Sequence, residues 1–126
     1  MPGVTIEARR AYTPDAERAL IDAVARAITR TLRIAESTLA LRLVVHEPRR
    51  FPLPSDKDDR FVLVTIDCFE GRPASVKRSL YAELARELAA CGVPADHLKI
   101  LLRESSRESW GIRGVPASDV HLEHGS

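Results

Sequence analysis

Two residues have the type and placement for acid–base chemistry on a small anion. Pro2 directly follows Met1, so removal of that methionine would leave a secondary amine at the head of the chain. A free chain-terminal amine titrates at about 7.7–8.0. Burial among apolar groups, or beside positive charge, disfavours its protonated form and lowers that value. An amine neutral near pH 7 is suited to proton abstraction. Proline is also a common second residue, so Pro2 takes its meaning from its surroundings. Arg72 is the second candidate, standing where the N-cap of a helix opened by Pro73 is expected. Arginine is a poor cap, and its charge opposes the positive end of the helix dipole. Beside free helix N–H groups, however, a guanidinium is well placed to bind a carboxylate. The plainer alternative is a surface pair with Glu70 or Asp67.

The elements that must position these residues read clearly. Val4, Ile6 and Ala8 alternate with Thr5, Glu7 and Arg9, a short strand with one buried face. Thr13-Pro14-Asp15 starts a helix, with Thr13 as cap and the acid near the positive end of the dipole. Leu20, Val24, Ile28 and Leu32 carry its apolar stripe to a stop near Arg33, where no glycine stands. Leu39, Leu41, Leu43 and Val45 form a second strand. Residues 47–60 hold Pro48, Pro52, Pro54 and the run Asp56-Lys57-Asp58-Asp59-Arg60, a surface loop that is either a lid or subunit contact or a solvated linker. The run from Phe61 to Phe69 is a strand buried on both faces. Val76, Leu80, Leu84 and Leu88 form a second helical stripe, closed by Gly92-Val93-Pro94, and Leu98 to Leu102 is a fourth strand.

The chain is an internal repeat. Leu20, Val24 and Ile28 fall on Leu80, Leu84 and Leu88. The expected fold is α+β: tandem βαβ units forming a four-stranded mixed sheet with two helices on one face. Residues 1–126 are one domain, with pseudo-repeats 1–47 and 60–104 and a hairpin tail over 105–126. The bare sheet face must find cover, and a domain this small finds it in sister subunits.

Composition narrows the classes. A chain of 126 residues with 44% hydrophobic and 29% charged residues has the profile of a soluble globular domain. A net charge of +1 gives no general pull toward nucleic acid or an anionic membrane. No apolar run approaches the roughly 20 residues of a bilayer span, and no signal peptide precedes Val4. Cys68 and Cys91 lack metal or redox spacing and read as buried thiols in a reducing cytoplasm. His97, His121 and His124 show no ligand spacing, and His46 reads as a surface residue at a strand end. Tyr81 reads as core or interface.

Met1-Pro2, Phe69-Glu70-Gly71-Arg72-Pro73 with Val76-Lys77-Arg78-Ser79-Leu80-Tyr81, and the run Arg107-Glu108-Ser109-Trp110-Gly111-Ile112-Arg113-Gly114-Val115-Pro116-Ala117-Ser118 together resemble the tautomerase superfamily. The likeness is to its longer-chain branch, grouped with malonate semialdehyde decarboxylase. The resemblance implies a cytoplasmic homotrimer without metal or organic cofactor, in which Pro2 is the general base. Arg72 falls on an arginine that binds substrate carboxylate. Arg113 is a further substrate-binding candidate or a subunit-interface salt bridge, and Trp110 is a substrate-binding pocket wall or a packing anchor. The implied substrate is a small carboxylate-bearing 2-keto or 3-oxo acid. Glu70 stands where the decarboxylase has the first of two arginines, and Glu36, Ser37, Thr38 and Leu39 supply no aspartate after the first helix. Enol–keto tautomerisation is therefore the expected reaction. The alternatives are a decarboxylase- or hydratase-like lyase in the same pocket, or a non-catalytic trimeric scaffold if Met1 is retained.

Overall fold

The computed structural model describes residues 2–120, so the state of Met1, and the tail beyond Val120 with Leu122, His121 and His124, lie outside it. Strand β1 (Gly3–Ala8) leads to helix α1 (Pro14–Leu32) and strand β2 (Ala40–Val45). Strand β3 (Val62–Phe69), helix α2 (Ala74–Ala89) and strand β4 (Leu98–Ser105) repeat the pattern. A hairpin of β5 (Gly111–Ile112) and β6 (Val115–Pro116) follows. The main sheet runs β2-β1-β3-β4. Pairs β1–β2 and β3–β4 are parallel, while the central pair β1–β3 is antiparallel, with Gly3 opposite Asp67.

Alternation decides the faces. Val4, Ile6, Ala8, Val62, Val64, Ile66 and Cys68 point to one side, where they pack on Leu20, Val24, Ile28, Leu80, Leu84 and Leu88. Both helices therefore cover the same face. The other face carries Thr5, Glu7, Leu63, Thr65, Asp67 and Leu101, with Leu101 47% exposed. Leu63 and Asp67 are only half-buried, so β3 is less enclosed than its apolar run predicts.

Local rules account for the ends. Thr13 Oγ1 accepts the Ala16 N–H at 3.2 Å, as a Thr cap should. Pro73, not Arg72, occupies the cap position of α2, and no side chain caps this helix. The repeat offset of 60 thus sets Thr13 on Pro73 and Tyr12 on Arg72. The expected position of Arg72 is off by one because Pro73 has extended backbone, with ψ 160°, and begins the helix only through its carbonyl. Strand β4 runs three residues beyond Leu102. The parallel ladder continues to Phe69–Ser105, and Arg103 pairs with Asp67 across it at 2.8 Å.

The 47–60 segment is not a loose linker. Arg9 ties it down through Asp59 at 2.7 Å and the Phe51 carbonyl at 3.1 Å. Phe51 packs edge-on against His46 and Phe61. The buried ring of His97 accepts the Asp58 N–H at 3.2 Å. His46 bonds Glu7 at 3.0 Å and is half-buried. Tyr81 is 38% exposed and is no part of this chain's core.

Candidate active site

Topology collects the chemistry at one end of the sheet. Strand β1 starts at this end. Because β3 runs antiparallel to β1, it finishes there, as does its parallel partner β4. Helix α1 returns to the same end before β2 starts, and α2 sets out from it. Pro2 is therefore near the C-terminus of α1, the N-terminus of α2 and the start of the tail. It is buried, and its carbonyl accepts the Ala40 N–H at 3.3 Å. Its parity with Val4 and Ile6 turns its ring toward the helix layer. Carrying the β1–β3 register one residue on sets it opposite Cys68.

Arg72 lies on the same side. Gly71 turns the chain out of β3 at a φ of 115°, a conformation that favours glycine. The Arg72 guanidinium then returns toward the strand end, 3.4 Å from the Phe69 carbonyl. It also acts on the buried Cys68 thiol: burial pushes that thiol up, and Arg72 partly opposes the rise. Neither Glu70 nor Asp67 pairs with Arg72, since Asp67 is held by Arg103. Instead Arg72 lines a groove of about 520 Å³ between the last turn of α1 and the first turns of α2, with Arg30, Arg33, Ser75, Val76 and Ser79. Pro2 is not part of that lining, although both sit at the same corner of the fold.

The tail is pinned beside them. Trp110 donates its indole N–H to Ser105 Oγ at 2.7 Å and meets Phe69 edge-on at 5.1 Å. Arg107 covers Phe69 with a guanidinium 4.4 Å from the ring centroid. The Trp110 carbonyl accepts the Ala117 N–H at 2.7 Å, closing the tail on itself. Arg113 and Gly114, with φ of 55° and 82°, form the tip of the β5–β6 hairpin, so Arg113 is exposed and does not line the Arg72 groove. The structure thus brings Pro2, Arg72 and Trp110 to one end and leaves Arg113 on a projecting turn. Among the described residues no group of three His, Cys, Asp or Glu side chains could hold a metal ion. No helix among them is long and apolar enough to cross a membrane.

Residues 38–113, more than half of the chain, match a family described as tautomerase enzyme. The chain belongs to this tautomerase family. The match includes Arg72, Trp110 and Arg113 but begins after β1, so Pro2 is outside it. A probable tautomerase of Ralstonia nicotianae is 30% identical over 57 residues, which is 44% of this chain and 81% of the relative. Among solved structures, a fused 4-OT wild-type asymmetric trimer aligns with a TM-score of 0.85 at 15% identity, covering 94% of this chain and 98% of that one. Malonate semialdehyde decarboxylase inhibited by 3-bromopropiolate aligns with a TM-score of 0.75 at 22% identity, covering 86% and 87%. At these identities the structural likeness is one of fold.

Sequence reasoning missed Arg30 and Arg33, which the tautomerase fold sets opposite Arg72. A signal was present. Arg33 stands where helix α1 ends without a glycine, and the structure finds it in the left-handed region at φ 54°, ψ 51°.

Proposed function

We propose that this chain is a cofactor-independent, cytoplasmic keto–enol tautomerase acting on a small unsaturated 2-keto acid, with Pro2 as its base after loss of Met1. The observation that carries the reading is a buried Pro2 at the same corner of a tautomerase fold as an Arg72 that has no carboxylate partner among the described residues. In this reading the Pro2 nitrogen takes the hydroxyl proton of the enol. The oxygen becomes a carbonyl as the C=C bond opens, and the protonated amine returns its proton to carbon. Arg72 holds the substrate carboxylate and stabilises charge developing on the dienolate. Burial and the nearby guanidinium both favour the neutral amine. Trp110 walls the site. Arg113 reaches substrate from its projecting hairpin in a homotrimer whose copies cover one another's bare sheet faces. The trimeric 4-OT structure supports that assembly.

The intact mass of the purified protein tests the base directly. A mass lighter by one methionine is expected; a full-length mass leaves Pro2 an amide and removes the base. The fold likeness to malonate semialdehyde decarboxylase favours a second reading, a lyase acting on a 3-oxo acid. Consumption of malonate semialdehyde lost on Pro2→Ala would select it.

A further inference from the structure

We propose that Arg33 is a second anion-binding residue of the Arg72 groove, making it selective for ligands that carry two negative charges over those that carry one. This rests on the tautomerase reading only for the identity of the reaction; the binding claim stands on the groove itself. Three guanidinium groups line this groove, but they are not equivalent. Arg30 shares the carboxylates of Glu87, at 3.4 Å, and Glu83, at 3.7 Å, with Arg26 and Arg86. Arg33 and Arg72 have no carboxylate partner among the described residues. Two cations facing one cavity repel each other, and an anion between them relieves that repulsion. Two of the three guanidinium groups are therefore left without a carboxylate among the described residues.

The backbone gives a second reason. Arg33 is in the left-handed region, where glycine is the unstrained choice and a side chain is disfavoured. Its N–H bonds the Thr29 carbonyl and closes helix α1, and its side chain lines the groove. The opposite wall supplies hydrogen-bond donors. Ser75 and Ser79 lie one turn apart on α2, and Ser75 belongs to a first turn that no side chain caps. Two guanidinium groups, hydroxyls and free N–H groups together suit a dicarboxylate or a phosphate monoester. Leu32 and Val76 give the groove an apolar floor between the charged walls.

The test is calorimetric titration of the full chain with succinate, inorganic phosphate and butyrate at pH 8 and fixed ionic strength. Succinate or phosphate should bind at least about tenfold more tightly than butyrate. A preference for succinate identifies a dicarboxylate ligand, and a preference for phosphate identifies a phosphorylated one. Arg33→Gly relieves the backbone and removes the charge, so it should fold at least as well and lose the preference. Arg33→Lys should keep part of it. Equal binding of all three anions by the unaltered protein, or an unchanged preference in Arg33→Gly, overturns the proposal. Pro2→Ala should leave all three affinities intact. Loss of turnover without loss of anion selectivity, or the reverse, therefore separates the reaction from the groove.

Discussion

Arginines in this chain divide by what they face. Arg9, Arg26, Arg60 and Arg103 each hold a carboxylate within 2.9 Å. Among the described residues Arg72 has only a long contact to the Phe69 carbonyl. A cation without a partner contributes little to folding, so Arg72→Ala should change stability by less than about 0.5 kcal/mol. On an enol of a 2-keto acid the same variant should raise KM and lower kcat. Arg72→Lys should recover little, because an ammonium cannot make the paired contacts of a guanidinium. Urea denaturation and steady-state kinetics on the two variants check both halves. Arg72 was singled out in the sequence as a misplaced helix cap, a ground the structure removes by putting Pro73 at the cap. Arg33 left only the signal of a helix end without glycine, and its place opposite Arg72 depends on a tertiary contact between two helix ends.

At the scale of elements, the two helices are tied by Glu87 on α2. It accepts from Arg26 at 2.9 Å and is 9% exposed. That hydrogen bond, with the charges of Arg26, Arg86 and Arg30, holds its carboxyl below the usual range. Its folded value is depressed, so its contribution is present above the ordinary glutamate value of about 4.3 and is lost as pH falls through the folded value. Glu87→Gln should lower Tm at pH 7 and flatten the loss of Tm below about pH 4, as thermal melts across pH would show. The tail is held differently. Trp110→Phe keeps the edge contact with Phe69 and loses the bond to Ser105, so it should cost about 1 kcal/mol. Trp110→Ala should cost about 3 kcal/mol. Helices, strands and their stripes could be read from periodicity alone. The pinning of the 47–60 segment by Arg9 and His97 could not, since those partners are remote in sequence.

For the whole molecule, the repeat was the most informative pattern. An offset of 60 between apolar stripes foretold two βαβ units, and the sheet order β2-β1-β3-β4 follows from joining them through an antiparallel pair. That joining brings the head of β1, both helix ends and the tail to one corner. Placing Leu101 at 47% exposure on the bare face leaves apolar area for another copy to cover. In the proposed trimer, Leu101→Asp should therefore give smaller species in sedimentation, without unfolding the chain. An assembly unchanged by that charge would move the subunit contact to another surface.

The central claim is that the Pro2 nitrogen moves the proton. The most direct measurement is the rate at which the processed protein and its Pro2→Ala variant convert the enol of a 2-keto acid to its keto form at pH 7. A fall of at least about 100-fold in kcat/KM, with circular dichroism unchanged, is the expected result. Equal rates for the two proteins would contradict it.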